Sequence, residues 1–258
     1  MCWQTEREGT LENRKTHRSV LKLKVFAAVV LLLLIWSVIK MGRVYIEDRQ
    51  VFEYLVSGGE KEIPDTFLEE LWEQNGVEAV SAVLDIPVHM ELEEYEMEIT
   101  LRAVDTAVFP IKIESCLSEL ETGSKTVLFI TPQTLDGLTD KNQYEITKSK
   151  KEELKERILG MTAVIYSAAW EMQEPEISAD EKVRGHKPAV YRETGIFAAV
   201  LKNGENRVYI PYENGKKFLE LSGQTAEVKT VYIKIRGRSK ADAVKRNLKQ
   251  IGFHTEPL

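Results

Sequence analysis

Four histidines, two cysteines and several adjacent acidic pairs are the side chains through which this 258-residue chain would do chemistry. His17, His89, His186 and His254 are scattered, and neither an HExxH nor an HxH spacing places two imidazoles on one metal. His89 falls in a strand-like stretch, where a structural imidazole is expected rather than a ligand. The acidic stretch from Glu91 to Glu96 reads as a solvated strand end rather than a metal site. Glu93-Glu94 and Glu152-Glu153 read as solvated faces rather than glycosidase acids. A serine nucleophile lacks its GxSxG turn, and Ser222-Gly223 is turn chemistry. Ser149-Lys150 and Ser239-Lys240 are sequence neighbours, which regular structure points apart. Gly58-Gly59 precedes Glu60-Lys61 without the GxxxxGK[ST] spacing of a phosphate loop. Cys2 and Cys116 form neither a CxxC nor a zinc pattern. The expectation is a protein without catalytic, cofactor-binding or metal-binding residues of its own, hence not an enzyme.

What the chain does display is an uncharged apolar run, Val25 to Ile39. Val25, Leu31, Leu32, Leu33, Leu34, Trp36 and Ile39 are its anchoring residues, and Lys22, Lys24, Lys40 and Arg43 flank it. At about 1.5 Å per residue the run covers only about 22 Å of a hydrocarbon core roughly 30 Å thick. Leu21, Leu23, Met41 and Val44 extend it, while the stems of Lys24 and Lys40 snorkel to the interfaces. Residues 1–24 hold six Lys or Arg against three Glu, which puts the N-terminus in the cytoplasm by the positive-inside rule. Ser37-Val38-Ile39-Lys40-Met41 does not resemble a processing site, so an uncleaved signal anchor is expected. The tail carries +3; removed from the net charge of −6, it leaves −9 for the remainder. Such an acidic domain disfavours nucleic acid as a partner.

The expected organisation is a basic cytoplasmic tail (1–24), a transmembrane segment (25–44), a charged connector (45–62) and an extracytoplasmic domain (63–258). The fold class is α+β: a single N-terminal transmembrane helix, then a mixed α/β domain with hairpins and a C-terminal strand-helix-strand unit. Residues 63–76 spell a helix capped by Asp65 or Thr66 and closed by Gly76. From Val77 the period becomes two, and two half-buried strands meet at the acidic stretch. Lys125–Thr131 and Met161–Ala169 read as buried strands, Lys148–Leu159 as an exposed helix, and residues 171–188 as a long loop. Gly195–Lys202, the turn Asn203-Gly204 and Arg207–Tyr212 predict a hairpin, with a further turn at Asn214-Gly215. Glu227–Arg236 is a strand, and Ser239 caps a helix whose stripe is Ala243, Val244, Leu248 and Ile251. Trp72, Trp170, Tyr191, Tyr209 and Tyr212 are expected to pack in the core or at its rim.

Two segments carry a family resemblance. Val77–Asp105, followed by Phe109-Pro110, and Val228–Thr255 resemble the opening strand pair and the closing strand-helix-glycine of the extracytoplasmic core domain of MacB/FtsX-type ABC transporter permeases. Together they cover about a quarter of the chain. Such permeases carry three further membrane helices after this domain, and none follows here, so the resemblance implies a stand-alone single-pass relative.

That resemblance implies a membrane-anchored interaction domain, bound to lipid through one helix and to an ABC permease or ATPase in an envelope complex. The alternative is a bitopic cell-division, sporulation or wall-assembly factor of the FtsQ/DivIB type. A strand edge is one means of partner capture. Glu227–Arg236, with Val231 and Ile233, or Gly195–Lys202 would provide it, unless both strands are internal.

Overall fold

The computed structural model describes residues 30–42, 44–59, 61–119, 123, 125–167, 191–202 and 206–258. Residues 30–42 and 44–49 are helical. The order thereafter is β1 (Val51–Ser57), α1 (Asp65–Trp72), β2 (Val77–Leu92), β3 (Tyr95–Val104), β4 (Ile113–Cys116) and β5 (Thr126–Ile130). A 3-10 turn (Pro132–Gly137), β6 (Thr139–Asp140), α2 (Lys148–Arg157), β7 (Thr162–Ser167) and β8 (Arg192–Leu201) follow. The chain closes with β9 (Val208–Pro211), α3 (Tyr212–Leu221), β10 (Thr230–Arg236), α4 (Arg238–Gln250) and β11 (His254–Pro257).

The eleven described strands form one sheet whose long member, β2, has two lives. Its first half, Val77–Val83, pairs with β10, and its second half, Val88–Glu91, pairs with β7. Along its other side β3 runs antiparallel from Val83↔Val104 to Leu92↔Tyr95. Pairing continues from β7 to β8, β5, β9 and back to β3, so six strands close a ring. Closure leaves that part of the sheet with no open edge. From the first half of β2 the sheet opens out as β10, β1 and β11.

Period-two burial explains these strands. Leu84, Ile86, Val88, Met90 and Leu92 of β2 join Met97 and Leu101 of β3, Leu128, Ile165, Phe197 and Ile210 in the main core. Each fully buried aliphatic side chain contributes about 1.5–3 kcal/mol of transfer free energy. On the opposite face a second cluster gathers Leu55, Val83, Val104, Phe109, Leu201, Tyr209 and Tyr232. Phe109 contacts Tyr232 at 5.2 Å and Tyr209 at 6.0 Å between ring centroids.

Several expectations are corrected. The hairpin of β8 and β9 does not exist, because β5 inserts between them, parallel to β8 and antiparallel to β9. Leu128 and Ile130 of β5 are almost fully buried there, and burial of that apolar strand overrides the local turn signal. Asn203 and Gly204 lie outside the described residues, as do residues 171–188 and Trp170. Asn214-Gly215 is no turn; both belong to α3, where Gly215 lies against Ala103. The charged connector contains β1, which pairs with β10 and β11, so the folded domain begins before residue 63. Neither Asp65, Thr66 nor Ser239 caps a helix: α1 and α4 start after Pro64 and Gly237 with no side-chain cap. Gly76 does adopt a positive φ, +93°.

A Cβ added at Gly215 would lie 2.3 Å from the Cβ of Ala103, too close for the helix to keep its seat on β3. Gly215→Ala is expected to lower stability by about 1–3 kcal/mol despite its gain in helix propensity. Ala103→Gly in the same chain should restore most of the loss. Gly137→Ala, which meets nothing within 4 Å, should stay within about 0.5 kcal/mol of the parent in denaturant unfolding.

Candidate functional site

The face of the β2–β3 hairpin opposite the main core is a polar ladder. A two-residue connection, Glu93-Glu94, with Glu93 at φ 55°, fixes the register. Glu91 therefore faces Glu96, His89 faces Glu98, Pro87 faces Thr100, and Asp85 faces Arg102. On the far side of β2, Tyr166 of β7 is the partner of His89. Directly opposed side chains in an antiparallel ladder have Cβ atoms about 4.5–5.5 Å apart, so these groups meet by construction.

At the turn end, the 4 % exposed His89 is surrounded by carboxylates. Its Nδ1 lies 2.7 Å from Glu98 Oε1, and its Nε2 lies 3.6 Å from Glu96 Oε2. Tyr166 donates its hydroxyl to Glu91 Oε2 at 3.0 Å and stacks at a tilt 5.9 Å from the imidazole. Burial, then the bond to the Glu91 carboxylate, pushes the Tyr166 phenol up from its ordinary pKa. One ligand atom from each of His89, Glu91 and Glu96 lies within 4.8 Å of the other two. Among the described residues this is the one such group of His, Cys, Asp or Glu. One nitrogen and two carboxylate oxygens suit a divalent cation.

At the other end Arg102, 3 % exposed, makes a two-pronged contact with Asp85: Nε to Oδ1 at 2.8 Å and Nη2 to Oδ2 at 2.9 Å. Arg207 Nη1 adds a third contact to Asp85 Oδ2 at 2.9 Å. Burial of Asp85 opposes its ionisation, but the hydrogen bonds and charges of Arg102 and Arg207 outweigh it and hold the carboxyl below its ordinary pKa.

The residues singled out from sequence lie elsewhere. Leu31, Leu32, Leu33, Leu34, Trp36 and Ile39 sit on the N-terminal helical residues, 52 to 65 % exposed, and Val25 is outside the described residues. Among the described residues no helix is long and apolar enough to cross a membrane. Val231 and Ile233 do not line an edge: β10 is paired by β1 on one side and β2 on the other, and both side chains are fully buried. β8 is likewise internal, between β7 and β5. Both strands are therefore internal to the sheet. The sequence signal that joins His89 to Glu96 is the pattern His-x-Glu, four residues centred on the Glu93-Glu94 turn, then Glu-x-Glu, which a hairpin folds onto itself.

No family model matches the chain, and no curated protein matches it. Among solved structures it is similar to the extracellular domain of the noncanonic ABC-type transporter YknZ from Gram-positive bacteria, at 14 % identity and a TM-score of 0.44, over 80 % of this chain and 100 % of that one. It is also similar to the periplasmic region of MacB from Actinobacillus actinomycetemcomitans, at 10 % identity and a TM-score of 0.45, over 82 % of this chain and 91 % of that one.

Because the folded pKa of Asp85 is lowered, its ionised form stabilises the fold above the unfolded value of about 4. That stability is expected to be lost as pH falls below about 4 and through the lowered folded pKa. Asp85→Asn should flatten this part of the stability-pH curve. Asp85→Ala is expected to cost about 2–3 kcal/mol at neutral pH, less than a fully buried pair because Asp85 is one-third exposed.

Proposed function

We propose that this chain is an extracytoplasmic interaction domain held at a membrane by residues 25–44, and that it serves as an accessory or coupling component of an ABC-type transporter or a related envelope complex. One observation carries the anchoring. Apart from Ser37, whose hydroxyl donates back to the Leu33 carbonyl, the side chains of the helical residues 30–39 are apolar and exposed, from Val30 at 38 % to Val38 at 71 %. Apolar side chains on every face are the pattern of a helix solvated by hydrocarbon. Cations before and after the run fit the two interfaces.

The transporter role is supported by where the family-like segments fall. Val77–Asp105 is the β2–β3 hairpin, and Val228–Thr255 is β10, α4 and the start of β11. The residues that carry the resemblance thus build adjoining strands of the sheet, joined through the β10–β2 ladder. The reading assigns the domain binding and coupling, not a reaction.

Two cysteines give a direct test of topology. A membrane-impermeant maleimide applied to osmotically stabilised spheroplasts is expected to label exposed Cys116 and leave Cys2 untouched until detergent is added. Cys116→Ser should abolish the outside labelling; labelling of Cys2 first would reverse the orientation. Partner class is read by crosslinking the full-length protein in native membranes, extracting it in mild detergent and identifying what copurifies. An ABC ATPase with its permease is the expected result. Division or wall-synthesis proteins in their place would replace the transporter reading with the assembly-factor one.

A further inference from the structure

The turn end of the polar ladder has a composition that an interaction surface does not require. Three carboxylates, Glu91, Glu96 and Glu98, converge on one imidazole that is almost wholly buried. Two of them, Glu91 and Glu96, stand directly opposite each other, an arrangement that like charges disfavour in an antiparallel pair. Glu98 lies against His89 Nδ1 and Tyr166 donates to Glu91, so His89 and Glu91 are each held by a neighbouring side chain.

We propose that His89, Glu91 and Glu96 form a site for a divalent ion of the zinc class, with Glu98 and Tyr166 as supporting groups. His89 supplies Nε2, on the side of the ring facing Glu96. Glu98, 2.7 Å from Nδ1, plays the part of the carboxylate that fixes the tautomer and orientation of a metal-binding imidazole. A proton on Nδ1 directed at Glu98 makes Nε2, on the Glu96 side, the nitrogen that would coordinate the ion. Glu91 and Glu96 each give one oxygen, and the Tyr166 hydroxyl donates to Glu91 Oε2.

The dimensions suit the ion. Tetrahedral ligands at about 2.0–2.2 Å from zinc lie about 3.4 Å apart, and the three donors all lie within 4.8 Å of one another, so an ion need draw them together by no more than about 1.4 Å. Three protein ligands leave one position for water or for a donor from a partner. The mixed nitrogen and oxygen set favours a borderline ion over magnesium or calcium, which take oxygen ligands alone. A cation between Glu91 and Glu96 also converts their mutual repulsion into a tie between β2, β3 and the neighbouring β7.

The test uses the full-length chain in detergent, with Cys2 and Cys116 changed to Ser so that no thiol competes. After chelator treatment the protein is titrated with Zn²⁺ by calorimetry, and bound metal is counted after dialysis. The expected result is one Zn²⁺ per chain and a rise in melting temperature that saturates with it. His89→Gln and Glu96→Gln should each weaken binding at least about tenfold, and Glu98→Gln by about 10–100-fold while leaving the stoichiometry unchanged. In the absence of metal, Glu96→Gln should melt no lower than the parent, since it removes a like charge opposite Glu91. Absence of a saturable site in the parent overturns the proposal. So does unchanged binding in His89→Gln with its fold intact by circular dichroism, or saturation by Mg²⁺ or Ca²⁺ in preference to Zn²⁺.

Discussion

Sixteen consecutive residues of β2 must satisfy their backbone groups on both sides, and nearly every other feature of the domain follows from how they do so. One side is served along most of its length by β3. The other is divided between β10 and β7, so the strand leaves one neighbour for another as it passes through the sheet. The first half therefore belongs to an open sheet and the second to a closed ring. Without that change of partner, the ring strands and the strands near the N-terminal helix would be two separate sheets.

A strand shared in this way has to be apolar on one face throughout, because the main core runs beneath both halves. Its other face is released from that demand and varies along its length. Val83 joins the second apolar cluster, Asp85 meets two arginines, and His89 and Glu91 meet carboxylates. Charge is thus graded along one face of a rigid hairpin, cationic groups near Arg102 and Arg207 and acidic groups near the turn. Rigid elements hold functional groups more tightly than loops do, and here the hairpin is pinned on its opposite face by buried Met90, Met97 and Leu101.

The sequence made the local periods legible and hid the long-range pairing. β2, β3, β5, β7 and β10 follow from alternation or short apolar runs, and α2 from its charged pattern closed at Gly160. β1 escaped because Val51–Ser57 sits among charged residues and becomes half-buried only once β10 and β11 flank it. The β8–β9 hairpin that an Asn-Gly pair signals is not formed, because the energy lies in placing β5 between two buried neighbours. Asn214-Gly215 misled in the same manner: the glycine answers to Ala103 across the helix–sheet contact, not to a backbone turn. The candidate site was invisible residue by residue, since His89 and Glu98 are nine apart and only the register makes them neighbours.

Between the helical residues 44–49 and the start of β1 at Val51 there is a single residue, Gln50. Its carbonyl accepts the amide of Gly237, where β10 passes into α4, and the Asp48 carboxylate lies 3.9 Å from Lys240 of that helix. One residue spans at most about 3.6 Å, so the joint has no slack. The domain is joined to these helical residues as a blade to a handle rather than as a float to a line. Rotation of residues 44–49 about their axis turns the outer strands with them, and a load applied to the sheet reaches those residues without first taking up a loose tether.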